Sequence, residues 1–189
     1  MTTETLKIPF WTRPAIPQTK TLLISAGHSD SDPGASCVHD SVMWTEAEVV
    51  TEFRDLVGAY LNSMSVDFKR DGEFGTNLPL REAISLAKSV DIAIEFHCNA
   101  FSDPRATGVE TLQGPQHQEL GEEICRALAD ALKLRSRGAK SESSGQHSRL
   151  GFISSGNGVI VELFFISNPN DLASYRANKE EAARRVAEV

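Results

Sequence analysis

Val159-Ile160-Val161-Glu162-Leu163-Phe164-Phe165-Ile166 is apolar at every position but one. Gly156-Asn157-Gly158 precedes it and Asn168-Pro169 follows, so the run reads as a strand buried on both faces. A carboxylate there is costly unless it is ion-paired, protonated or part of a site. Glu162 is therefore the residue against which every other polar group is weighed.

The composition limits what surrounds that strand. A chain of 189 residues, 40% hydrophobic and 24% charged, suffices for one soluble α/β domain with a sizeable core. The net charge of −7, without a Lys/Arg cluster, argues against nucleic acid or an anionic membrane as partner. The N-terminal Met-Thr-Thr-Glu has neither a basic nor an apolar signal region, and no apolar run reaches membrane length. Cys37, Cys98 and Cys125 lack CxxC spacing, which fits synthesis in a reducing cytoplasm.

Outward from Glu162, other segments place polar groups where they point inward. Thr21 to Ala26 is a short apolar strand running into a turn-rich loop, so His28 stands at a strand's C-terminal end, where open α/β sheets bind ligands. Glu46 to Leu61 has one apolar stripe through Val49, Val50, Phe53, Leu56, Val57 and Tyr60. Glu46 falls on that stripe at the helix start; Glu48, Glu52 and Asp55 fall opposite, toward water. Asp91 to His97 is a strand whose period of two puts Glu95 and His97 on one face and Ile92, Ile94 and Phe96 on the other.

The remaining expectations are coarser. Residues 1–20, with three prolines and no period, read as an extended arm, and residues 21–189 as the single functional domain. Ser65 to Arg70 and Gly108 to Leu112 are strands. Helices follow Pro79, run from Pro115 to Lys133, and close the chain through Leu172, Tyr175, Ala182, Ala183 and Val186. Residues 136–148 are loop-like, Leu150 to Ile153 is a short strand, and His39 and His117 face solvent.

Four polar groups thus converge by expectation: His28, Glu46, His97 and Glu162. Two imidazoles and a carboxylate are the ligand set of a catalytic zinc, with one position left for water. No HExxH helix is present, so the ligands must come from distant segments, and spacing alone leaves open ordinary hydrogen-bonded histidines.

The chain resembles the type 3 family of zinc-dependent N-acetylmuramoyl-L-alanine amidases, its phage lysin members in particular. The stretches that carry the resemblance are Ile24-Ser25-Ala26-Gly27-His28 with Asp32-Pro33-Gly34-Ala35, Glu46-Ala47-Glu48, Glu95-Phe96-His97-Cys98-Asn99-Ala100, Gly108-Val109-Glu110-Thr111, and Val161-Glu162-Leu163-Phe164-Phe165-Ile166-Ser167-Asn168-Pro169. They stand in the family's order. Two positions depart from it: Glu95 and Cys98 stand where the family commonly has Ser and Ala.

The resemblance implies a twisted, mostly parallel sheet of about six strands flanked by helices. It implies one zinc held by His28, Glu46 and His97, with Glu162 as the catalytic carboxylate acting on peptidoglycan. Glu95 could orient a ligand histidine; Asn99, His147 and Arg149 are further candidates for supporting or substrate-binding roles. The expected protein is a monomeric phage endolysin, made in the host cytoplasm and acting on the wall after release. Two other readings stand beside it: a silent wall-binding or regulatory module on this fold, and a zinc peptidase or amidohydrolase of soluble peptides.

Overall fold

The computed structural model describes residues 20–29, 31–144 and 149–189. The expected arm, apart from Lys20, and Gln146, His147 and Ser148 lie outside the described residues. In chain order the elements are β1 (Leu22–Ala26), β2 (Ser36–His39), β3 (Val42–Thr45), α1 (Glu46–Ser63), β4 (Phe68–Arg70), α2 (Leu80–Ala87), β5 (Ile92–Asn99), β6 (Val109–Gln113), α3 (Gln118–Leu132), β7 (Ser136–Ser141), α4 (Gly151–Ser154), β8 (Val159–Phe165) and α5 (Pro169–Ala187).

Six strands form one sheet in the order β4-β1-β5-β8-β6-β7. Neighbours are parallel except β6 and β8, which run antiparallel, so the sheet is mixed and mostly parallel, as expected. β8 is central and covered on both sides, which is why its sequence lacks alternation.

The two faces are covered unequally. Ile24, Ile94, Phe96, Val159 and Val161 belong to the larger core, packed with α1, α3 and α5. Within it Phe53 meets Phe96 edge-on at 5.1 Å, and Phe164 stacks on Tyr175 at 4.9 Å. On the other face Leu23, Ala93, Ile160 and Leu112 pack with residues of α2 and α4. These four lie toward one end of the sheet. Period two continues that face into Ser25, Glu95, His97, Glu162 and Glu110 at the opposite end, beyond the two short helices. The polar cluster occupies the sheet surface that α2 and α4 leave uncovered.

Several expectations need correction. Residues 136–148 are not all loop: Ser136–Ser141 is the edge strand β7, half-exposed and therefore without an apolar signature. Leu150 to Ile153 is not a strand; Gly151–Ser154 is one helical turn that buries Phe152 and Ile153. No element was expected over residues 35–45, yet β2 and β3 form a hairpin there. Its turn residues Asp40 and Ser41 both have positive φ, 51° and 63°, a type I′ geometry usually announced by Asn-Gly. Asp55 was placed toward water but is buried, beside the equally buried Arg54 and under the loop at residues 71–77. His39 and His117 do not simply face solvent; each is half-buried with Nε2 against a backbone carbonyl, of Ile166 at 2.9 Å and Asn157 at 3.0 Å. No helix among the described residues is long and apolar enough to cross a membrane.

Candidate metal centre and active site

Helix α1 delivers the central carboxylate. Its cap, Thr45, accepts from the Glu48 amide at 3.3 Å and donates to the Glu48 carboxylate at 2.8 Å, which keeps Glu48 at the surface. Glu46 points inward and is only 4% exposed. Its oxygens divide the work. Oε1 accepts from the Cys98 amide at 3.0 Å and faces His97 Nδ1 at 3.0 Å. Oε2 accepts from the Ala35 amide at 2.9 Å and faces His28 Nε2 at 3.1 Å. One donor atom from each of His28, Glu46 and His97 lies within 4.8 Å of the others.

The backbone around the imidazoles is shaped to admit them. His28 itself adopts a left-handed φ of 65°, a conformation that costs a non-glycine residue about 1 kcal/mol or more. Asn77 offsets this by donating to the carbonyls of Ala26 and His28. Gly27 leaves room for the His97 ring: a Cβ there would lie 2.2 Å from Cε1. The two rings meet edge to face with centroids 5.3 Å apart.

Each imidazole turns its outer nitrogen to a different carboxylate. His28 Nδ1 lies 3.2 Å from Asp32 Oδ2, and His97 Nε2 lies 3.0 Å from Glu95 Oε2. A carboxylate only accepts, so those nitrogens carry hydrogen. In the neutral rings the inner nitrogens then present lone pairs to the oxygens of Glu46. Lone pairs facing lone pairs at 3.0–3.1 Å need a positive charge between them, either a metal cation or added protons. Two imidazole nitrogens and a carboxylate, with further carboxylates accepting from the outer ring nitrogens, form a donor set suited to zinc.

Without metal, protons take the cation's place. The hydrogen bond to Glu46 raises the His28 imidazole above its usual value, against burial. Burial lowers His97, but Glu46 and Glu95 reverse this and leave it well above the ordinary range. Burial likewise opposes ionisation of Glu46, yet the two histidines hold its carboxyl far below the usual carboxylate range.

Glu162 stands in the same row of the sheet. It is the register neighbour of His97 across β5 and β8, and of Glu110 across β8 and β6. The side chain is partly exposed, but Oε2 is shut off from solvent and has no hydrogen-bond partner among the described residues. Burial pushes its pKa up to about 7; His97 opposes this, and Glu46 and Glu110 add to it. Glu110 differs because it is paired: Oε2 accepts from Arg137 at 2.6 Å and Lys140 at 2.5 Å, and Oε1 from Asn99 at 2.9 Å. Burial notwithstanding, these cations hold its carboxyl low.

The structure therefore brings His28, Glu46, His97, Glu162, Glu95 and Asn99 together, Asn99 through Glu110. Cys98 faces the larger core, away from the cluster. Arg149 is exposed, and among the described residues no contact joins it to the cluster; His147 lies outside them. Glu110, Arg137, Lys140, Asp32, Asp71 and Ser25 were assigned no role from sequence. For Glu110 a signal existed, a lone carboxylate within a strand buried along its whole length. For Arg137 and Lys140 none did, since their segment reads as polar loop.

The N-acetylmuramoyl-L-alanine amidase family model matches residues 22–188. Among solved structures, a Neisseria meningitidis protein assigned as an N-acetylmuramoyl-L-alanine amidase is 37% identical, with a TM-score of 0.79 over 89% of this chain and 92% of that one. The N-acetylmuramoyl-L-alanine amidase of Clostridium difficile 630 shares the fold at 18% identity and a TM-score of 0.77, over 89% and 93% of the two chains. The catalytic domain of an endolysin targeting Clostridia difficile does so at 23% and 0.69, over 90% and 96%. No curated protein matches the sequence. On the family match and the 37% identity, this chain belongs to the N-acetylmuramoyl-L-alanine amidase family.

Proposed function

We propose that the protein hydrolyses the amide between N-acetylmuramic acid and the L-alanine of the peptidoglycan stem peptide, with zinc bound by His28, Glu46 and His97. The observation that supports this most is the convergence of those three donors beside Glu162, whose buried Oε2 has no hydrogen-bond partner among the described residues, in a chain of this family. Zinc, when bound, supplies Lewis acidity and lowers the pKa of a bound water to about 7.

The protein's own groups do the rest. Glu46 contributes one formal negative charge and the imidazoles none. The outer ring nitrogens donate to carboxylates, that of His97 to the buried Glu95 and that of His28 to the exposed Asp32. Glu162 is the proton carrier: a carboxylate beside the metal donors but outside their set can accept a proton from water and later donate one. It takes the proton of the attacking water and returns it to the leaving nitrogen of L-alanine. Without that return the amine departs as a poor leaving group. Glu110, neutralised by Arg137 and Lys140, does not compete for the proton.

Digestion of purified peptidoglycan tests the reading. Peptides with new N-terminal L-alanine and glycan chains without new reducing ends are expected. New reducing ends would identify a glycosidase, and cleavage of free peptides alone would favour the peptidase reading. Binding of wall without cleavage would favour a silent module.

The proposal extends to a monomeric phage lysin, made in the host cytoplasm and reaching the wall after release. Light scattering on the purified chain and fractionation of expressing cells, with and without a membrane pore, test these points.

A further inference from the structure

A chain of buried polar contacts leads away from the metal centre and ends on a guanidinium. Glu95, only 2% exposed, has one oxygen 3.0 Å from His97 Nε2 and the other 3.2 Å from Ser25 Oγ. Ser25 Oγ lies 2.8 Å from Asp71 Oδ2, and both residues are fully buried; the hydroxyl has one hydrogen to give, so it donates to Glu95 when Asp71 carries a proton and donates to it in turn. Asp71 is held in turn by Arg54, whose Nη1 donates to its carbonyl at 2.5 Å and to Oδ1 at 3.2 Å. Arg54 is also fully buried, and it further donates to Asn77 Oδ1 at 3.3 Å and to the carbonyls of Glu73 and Thr76. Asn77 is the residue that pins the carbonyls of Ala26 and His28. Helix α1 thus supplies one donor directly, through Glu46, and from two turns further along supports both others.

The two carboxylates behind the imidazoles are unequal. The Asp32 side chain is 67% exposed, whereas that of Glu95 is 3% exposed. An exposed hydrogen bond exchanges readily with water and contributes little, while a buried charged one is strong and directional. The buried member is the one that can fix a tautomer.

We propose that Glu95 is a positioning residue, held by Arg54 through Asp71 and Ser25, which fixes His97 with Nδ1 presented to the metal and so sets metal affinity. The inference rests on zinc binding at His28, Glu46 and His97. Arg54 also anchors the loop at residues 71–77 through Asn77 and the carbonyls of Glu73 and Thr76, while the branch through Asp71 and Ser25 ends on Glu95 and, through it, on His97. Removing a partner behind a ligand histidine typically weakens metal binding by roughly 10- to 100-fold.

The experiment is chelator competition for zinc on the full chain, without substrate, for wild type, Glu95→Ala, Glu95→Gln, Asp32→Asn, Ser25→Ala and the Ser25→Ala/Glu95→Ala double variant. Circular dichroism of each metal-free protein checks folding. Glu95→Ala is expected to weaken zinc by about 10- to 100-fold, and Glu95→Gln, which still accepts through its carbonyl, by less. Asp32→Asn should stay within about threefold, as suits an exposed partner. Ser25→Ala should weaken zinc in the wild-type background and add nothing once Glu95 is gone, because it acts through Glu95. Unchanged affinity in folded Glu95→Ala, or a Ser25→Ala effect that persists without Glu95, would overturn the proposal. Failure of the wild type to bind zinc would instead overturn the metal assignment itself.

Discussion

Replacing Glu162 by Gln separates proton transfer from everything else the residue does. Gln is nearly isosteric, and β8 packs through Val161, Leu163 and Phe164 on its other face, so the fold is expected to survive. The three metal donors are untouched, so zinc stoichiometry is expected to stay at one per chain. An amide can neither take the proton of water nor return it to the amine. Turnover should therefore fall by at least about 10²- to 10⁴-fold, the usual worth of general acid–base catalysis.

The same variant carries a stability signature that can be worked out in sign. In the metal-free protein the folded-state pKa is raised from 4.5 to about 7. The folded chain therefore holds a proton that the unfolded chain has released between those values. The stabilisation is fully present below 4.5 and is lost as pH rises through 7. At about 1.4 kcal/mol per pH unit over that interval, the loss is roughly 3–4 kcal/mol. Gln does not titrate, so Glu162→Gln should gain on wild type by up to that amount between pH 4.5 and 8. Denaturant unfolding of both metal-free proteins at a series of pH values measures it. A constant difference would show that Glu162 is an ordinary solvated carboxylate. Loss of zinc in proportion to turnover would show that it is a ligand.

Glu46→Ala should abolish tight zinc binding while Glu48→Ala leaves it within about twofold, since Thr45 holds Glu48 at the surface with a bond of the ordinary exposed kind; equal losses measured by chelator competition would contradict the orientation of α1. Gly27→Ala should displace the His97 ring, because the new Cβ would fall 2.2 Å from it, and should lower zinc affinity without melting the core, as read by competition beside thermal unfolding. Zinc affinity should rise with pH through and beyond 6.5, because in the metal-free protein both imidazoles hold protons above that value and must release them; a pH-independent affinity from 6 to 9 would contradict the donor set.

What the sequence disclosed follows from where burial is complete. β8 is apolar on both faces, so Glu162 stood out within it, whereas Glu95 and His97 were legible from the period of two in β5, which sets them on one face and Ile92, Ile94 and Phe96 on the other. Glu46 was legible because a long amphipathic helix fixes its own phase over four turns. The same helix misled at Asp55, whose cover comes from a loop far along the chain that no periodicity in α1 encodes. Arg54 was missed for the same reason: its partners Asp71, Asn77 and Thr76 belong to that loop. β7 was hidden because an edge strand pairs on one side only and has no need of an apolar face. Glu110 was visible as a sequence anomaly, but its neutralisation by Arg137 and Lys140 depends on β7 and could not be foreseen without it. The roles of His28, Glu46 and His97 as a set came from the family resemblance, since spacing alone does not bring three distant segments together.

The most direct test of the proposed chemistry is mass spectrometry of peptidoglycan digested by the zinc-loaded chain, run beside a chelated sample and the same sample with zinc restored. The expected result is release of peptides beginning in L-alanine from glycan strands that keep their length, lost on chelation and recovered with zinc. Equal release in fully chelated protein, or cleavage at any bond other than the one between muramic acid and L-alanine, would contradict it.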